Sequence, residues 1–145
     1  MNRFLAALRD LPHLLAPLTA NCRGFHEQWT AVAGAGEPGG RWTGEWRSAA
    51  NGHHGPLDCA LQVLGEGRWR ATFRAGYAGL LRACYRTEFA VAARPEGWTF
   101  SGRSDLGRLA GGVYEFDGNA SAGRFVARYR SKYDHGTFTL TRAAE

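Results

Sequence analysis

Gly40-Arg41-Trp42-Thr43-Gly44-Glu45-Trp46-Arg47-Ser48 decides how the rest of the chain is read. Trp42, Gly44 and Trp46 recur at period two, with Thr43, Glu45 and Arg47 between them. Successive strand side chains point to opposite faces, so this spacing predicts a strand with one buried face. Residues before it read as helical or irregular, and residues after it alternate. Its predicted partner is the last strand, Thr137–Arg142.

Working outward, the alternation repeats at Leu57–Leu64, Arg68–Ala75, Ala83–Ala93, Trp98–Gly102, Gly112–Ser121 and Arg124–Ser131. It is cleanest in Arg68–Ala75, where Trp69, Ala71, Phe73 and Ala75 oppose Arg68, Arg70, Thr72 and Arg74. About eight short strands with no helices between them exclude a parallel sheet, which needs crossover helices. The chain is therefore all-β. It closes into an antiparallel up-and-down barrel or packs as a two-sheet sandwich, and the barrel leaves no exposed edge. The predicted organisation is a helical segment and linker over residues 1–39 and a barrel domain over 40–145. In the first part Phe4, Leu5, Leu8 and Leu11, then Leu14, Leu15 and Leu18, keep helical spacing. Pro12 and Pro17 break this into short pieces, with a linker from Thr30 to Gly40.

An up-and-down barrel puts alternate connections at opposite ends. The turns around Gly65–Gly67, Arg94–Gly97 and Ala122-Gly123 are tight and chemically plain. The other end carries longer loops that hold His53, His54, Tyr77, Asp105, Lys132, Tyr133, Asp134 and His135. Loops on a rigid scaffold and barrel mouths are favoured places for function. The candidate ligand-binding residues are these rim groups, Lys132 apart, with Trp69, Phe73, Tyr85 and Tyr129 of the interior. For any single rim residue, turn formation by Asn, Asp and Gly is the slightly better explanation, whereas for that end of the barrel as a whole function is favoured. Whether the interior aromatic rings fill the barrel or line a pocket stays open at this point.

Gly40-Arg41-Trp42 before the first strand and Arg142 at the end of the last resemble the calycin superfamily, the lipocalin-like barrels. That resemblance implies a barrel closed by Arg142 stacked over Trp42, and a small molecule held inside. The stretches Asn51–Gly55, Asp105–Gly112 and Lys132–Phe138 are also similar to small bacterial barrel proteins without an assigned activity. A haem barrel of the nitrobindin type is matched more loosely, through His135.

The 145 residues suit one domain, and 20 glycines suit turns and strands rather than long helices. The net charge of +5 permits contact with anionic partners. Arg70, Arg74, Arg82 and Arg86 could form an outer stripe, but aromatics point inward there, so the reading is no nucleic-acid partner. No apolar run is long enough to span a membrane. Cys22, Cys59 and Cys84 contain no Cys-x-x-Cys pair, and strand parity sends Cys59 inward and Cys84 outward, disfavouring a bridge between those two. The predicted location is cytoplasmic, with an exported or lipid-anchored form as the alternative. No nucleophile elbow, phosphate loop or carboxylate pair is present, so the sequence leans away from catalysis. The functional expectation is a binder of a small apolar or planar molecule. The alternatives are metal or haem held by rim histidines, a small barrel enzyme, and an interaction scaffold. No cofactor or oligomeric state is specified.

Overall fold

The computed structural model describes residues 12–77, 79, 81–106 and 112–144, without the side chains of 12–21. One helix, α1 (Pro12–Ala31), precedes eight strands. These are β1 (Gly40–Ser48), β2 (His54–Gly65), β3 (Arg68–Tyr77), β4 (Leu81–Arg94), β5 (Gly97–Asp105), β6 (Val113–Ser121), β7 (Arg124–Arg130) and β8 (His135–Arg142). Each strand pairs with its sequence neighbours and β1 pairs with β8, which closes the barrel. The closing register runs from Trp42–Arg142 to Ser48–Gly136. The sandwich is thereby excluded and the up-and-down barrel stands.

Burial follows the predicted parity. Trp42, Trp46, Leu57, Cys59, Leu61, Trp69, Phe73 and Phe89 are buried, while Thr43, Glu45, Arg47 and Glu88 are exposed. In the half of the barrel near the tight turns, the aromatic rings pack against one another. Phe100 lies 4.7 Å from Phe89 and 4.8 Å from Phe125, centroid to centroid, and Trp69 lies 5.6 Å from Phe100. Each such pair adds about 1 kcal/mol beyond its area burial, so this half is a solid stabilising core.

The linker seals that end. Arg142 donates to the carbonyls of Gly39 and Ala35, with its guanidinium 5.5 Å from the Trp42 ring centre. Trp42 Nε1 donates to Pro38 O at 3.0 Å. Gly40 is required here. Its φ is +118°, and a Cβ would meet Arg142 Nη2 at 2.8 Å. The Gly-x-Trp and late Arg thus have a shared physical reason, a cation over an indole plugging one end.

The N-terminal reading needs correction. Instead of short pieces followed by a linker from Thr30, one helix runs from Pro12 to Ala31. Pro12 is its first residue, where the missing N–H costs nothing, and Pro17 loses a bond only near the start. Packing supplies the stabilisation. Cys22, Phe25, Trp29 and Val32 recur at three- and four-residue steps and cluster with Ala60 and Cys84 on the outer wall. Cys22 is bonded to Cys84, a bridge spanning 62 residues of sequence, whereas Cys59 is buried and free. Arg74 joins the helix to the wall, 4.6 Å from the Phe25 ring and 2.8 Å from Asp58 Oδ2. Arg41 Nε donates to Trp29 O at 2.8 Å. The predicted apolar positions at 4–11 lie outside the described residues. None of the described helices is long and apolar enough to cross a membrane.

Candidate functional site

The two ends of the barrel differ as expected, but the rim histidines are not where the chemistry converges. His53 and His135 do share one end. Ser48 N donates to His53 O and Ala49 N to His135 O, both at 2.8 Å. Their side chains and that of His54 are exposed on the outside. Tyr133 and Asp105 are exposed as well, and Lys132 Nζ lies 5.5 Å from the Tyr133 ring. Among the described residues no group of three His, Cys, Asp or Glu side chains is arranged to hold a metal ion.

Asp134 instead turns inward and is 3 % exposed. Ser48, itself 2 % exposed, donates to Asp134 Oδ1 at 2.6 Å, and Tyr129 OH donates to Asp134 Oδ2 at 3.1 Å. A buried carboxylate without donors would be prohibitively costly, and these two hydroxyls offset part of that cost. The same groups order two connections. Ser48 Oγ accepts from Ala50 N and Asn51 N after β1. Ser131 Oγ accepts from Asp134 N after β7.

This carboxylate faces a chamber of about 30 Å³ beneath the loop end. Its walls are Trp46, Tyr77, Tyr85, Tyr114, Phe116 and Tyr129, with Ala75, Leu106 and Phe138 completing it. Trp46 is 4.9 Å from Tyr77, Tyr114 is 6.2 Å from Tyr129, and Tyr129 is 5.1 Å from Phe138. Phe73 stacks on Tyr85 at 5.2 Å and closes the chamber from below. Trp69 belongs to the solid half, against Phe100. Trp46 Nε1 is satisfied by Gly76 O at 3.0 Å.

The chamber holds its phenols neutral. Burial, reinforced by neighbouring phenols and the Asp134 charge, pushes Tyr77 well up. Burial and nearby phenols do the same to Tyr85. Tyr114 rises to about 12 through burial, against a lowering hydrogen bond with Ser131 and with a further push from Asp134. Tyr129 is raised by burial and then by the Asp134 charge. Burial also raises the Cys59 thiol, with the Asp58 charge adding to it, so that thiol is inert.

The wall beside the chamber is split. The β4–β5 ladder begins at Phe89–Gly102 and ends at Arg94–Gly97. Above it, Leu81 to Glu88 of β4 keep their partners on β3, and Arg103 to Asp105 of β5 keep theirs on β6. Across the gap, Ser104 Oγ donates to Arg86 O at 3.4 Å in place of a backbone bond. Gly102 sits where the strands part. A Cβ there would lie 2.6 Å from the Phe89 ring and 2.7 Å from Glu88 O, so only glycine allows this approach. Tyr85 and Leu106, beside the seam, are the partly exposed members of the chamber wall. A wider depression of about 720 Å³ lies on the outside between β4 and β7. It is floored by short side chains such as Ala90, Ala92 and Ser101, and its Asp117 and Arg128 already pair at 2.6 Å.

Of the residues singled out in the sequence, Tyr77, Tyr85, Tyr129 and Asp134 converge, with Phe73 beneath them. His53, His54, Asp105, Tyr133 and His135 stay on the rim. Ser48, Trp46 and Tyr114 were missed as site residues. Parity put Trp46 and Tyr114 inside, and their nearness to the loop end was the available signal. For Ser48 the period-two run from Trp42 through Trp46 reaches it on the inner face. The closed eight-stranded antiparallel barrel is compatible with a calycin-like fold. Comparison with protein-family models, with curated proteins and with solved structures finds no match for this chain.

Proposed function

We propose that the protein binds a small molecule in the tyrosine chamber beneath its loop end, reached across the upper β4–β5 seam. The observation that carries this reading is Asp134, a buried carboxylate facing a cavity walled by four tyrosines and Trp46. Ligand sites combine an apolar wall with a few convergent polar groups, and this chamber has both. Its volume of about 30 Å³ is close to that of one water molecule, so the enclosed part of the ligand is a single small group at the tip of a larger molecule. A haem does not fit. The chamber is far too small, and His135 faces away from it, opposite the inward Gly136 on β8. An apolar ring or chain could extend from the chamber through the seam, past Leu106. Membership of the calycin superfamily is part of the same proposal and is supported by the closed barrel and the Arg142–Trp42 plug. The Cys22–Cys84 bridge favours an oxidising compartment over the predicted cytoplasm, because cytosolic thiols are kept reduced.

A fragment screen followed by NMR through the Trp46 indole Nε1–H signal, one of five tryptophan signals, tests the reading. Fragments that place one small group in the chamber are expected to shift the Trp46 indole signal in the native protein. Ala75→Leu, which fills the chamber, is expected to abolish the response while the barrel still melts cooperatively. Equal responses in the two proteins would overturn the assignment.

A further inference from the structure

We infer that the Cys22–Cys84 bridge is a redox-operated clamp on the chamber wall: a dithiol that reduces it frees α1 from the upper half of β4, and the seam then opens to solvent. The inference rests on the binding reading above only for what the seam admits. The bridge lands on the least supported part of the barrel. Leu81 to Glu88 of β4 pair with β3 on one side, and among the described residues they have no backbone ladder to β5 on the other. Cys84 lies in the middle of that stretch. Outside, the stretch is covered by α1. Phe25 clusters with Cys84, and Gly24 lies over Arg86, where an added Cβ would come 3.8 Å from Nη2. Inside, Tyr85 stacks on Phe73 at 5.2 Å. Tyr85 directly follows Cys84 in the chain and lines the chamber, so a movement of Cys84 is passed to the chamber wall.

The two sulfurs differ in access. Cys84 is fully buried and Cys22 is partly exposed, so a reductant meets Cys22 first. Its thiolate attacks Cys22 Sγ, the S–S bond breaks, and Cys84 leaves as a thiolate that takes up a proton. The reductant's second thiol then attacks the mixed disulfide, releasing Cys22 as a thiol and leaving the reductant as a disulfide. Two electrons and two protons pass to the protein, and re-oxidation returns them. The rest of the fold makes the opening local. The β1–β8 closure and the Arg142 plug do not involve the bridge. Trp29 and Val32 stay packed on the wall, and Arg41 holds Trp29 O at 2.8 Å, so the far end of α1 remains seated. The turn around Cys22 then depends on packing alone, and a helix held by little packing frays in water.

The test is hydrogen–deuterium exchange by NMR on the full chain, oxidised and after dithiothreitol, at several low denaturant concentrations. Three reporters are read: the α1 amides from Cys22 to Ala31, the amides of Arg82–Glu88 that bond β3, and the Trp46 indole N–H, which lines the chamber and bonds Gly76 O at 3.0 Å. Reduction is expected to speed all three by at least about thirtyfold, the least that loss of such a bridge gives. Their rates are expected to depend only weakly on denaturant, the mark of a local opening. The paired Phe89–Arg94 and Gly97–Gly102 amides are expected to keep the steep dependence of global unfolding. Cys22→Ser is expected to reproduce the reduced pattern without reductant, and if it does not fold, reduction of the native protein decides alone. A bridge that resists dithiothreitol in the folded protein would overturn the clamp. So would reporters that accelerate only in step with the closed half and with its steep dependence, or a faster α1 beside an unchanged Arg82–Glu88 and Trp46. None of these outcomes touches the binding reading, which a chamber silent in the fragment screen would overturn by itself.

Discussion

At Ser48, one hydroxyl joins a buried carboxylate to the first turn of the loop end. It donates to Asp134 at 2.6 Å and accepts from the backbone N–H groups of Ala50 and Asn51. Ser48→Ala leaves a buried carboxylate oxygen short of a donor, and we expect a loss of about 2 kcal/mol, read from denaturant unfolding. The chamber phenols make a second prediction at this scale. Tyr77, Tyr85, Tyr114 and Tyr129 are all raised above the ordinary phenol value of 10.0, Tyr114 to about 12. Above pH 10 the unfolded chain releases these protons while the folded chain keeps them, so unfolding is increasingly favoured. Stability is thus fully present below pH 10 and falls as pH rises from 10 toward 12 and beyond. A denaturation series across that window, with tyrosinate absorbance recorded in parallel, is expected to show phenol ionisation appearing together with unfolding. Much of this chemistry was visible as residue types: Tyr77, Tyr85, Tyr129 and Asp134 could be named from the sequence. Their convergence, and the outward turn of His53, His54 and His135, could not. Loop residues have no parity to follow, and Asp134 turns inward because Ser48 and Tyr129 await it.

Among the elements, the strands were legible and the helix was not. Period-two alternation is written into each strand by the barrel's inside and outside, so Trp69, Phe73 and Phe89 had to point inward. Helix α1 instead gains its stability from the wall it covers. Its Cys22-Phe25-Trp29-Val32 spacing was in the sequence but was obscured by Pro17 and by the glycines that follow. The bridge to Cys84 was hidden for the same reason, since Cys22 had no assigned face. We expect Cys22→Ser to lower stability by about 4 kcal/mol, the chain-entropy value for a bridge spanning 62 residues of sequence. Reduction of the native protein is expected to shift the NMR signal of the Trp29 indole, and not those of the barrel tryptophans, at concentrations of denaturant that leave the barrel folded. The seam was also invisible in the sequence, because alternation continues through β4 and β5 whether or not they pair. Amides of Arg82–Glu88 and Arg103–Asp105 that face the gap are expected to exchange with deuterium faster than those of the paired Phe89–Arg94 and Gly97–Gly102 stretch.

The whole molecule is a barrel whose two halves do different work. One half is a packed aromatic core plugged by Arg142 over Trp42, and it carries the stability. The other half relaxes that packing into a small aromatic chamber with one buried carboxylate and splits one wall beside it. Eight strands enclose just enough space for either outcome, and here the same barrel shows both. The account requires that ligand binding belong to the chamber and not to the histidine-bearing rim. Mapping fragment-induced shifts residue by residue on the full chain tests this most directly. We predict shifts centred on Ala75, Tyr77, Tyr114, Tyr129 and Asp134. Shifts confined to His53, His54 and His135, with the chamber silent, would contradict it.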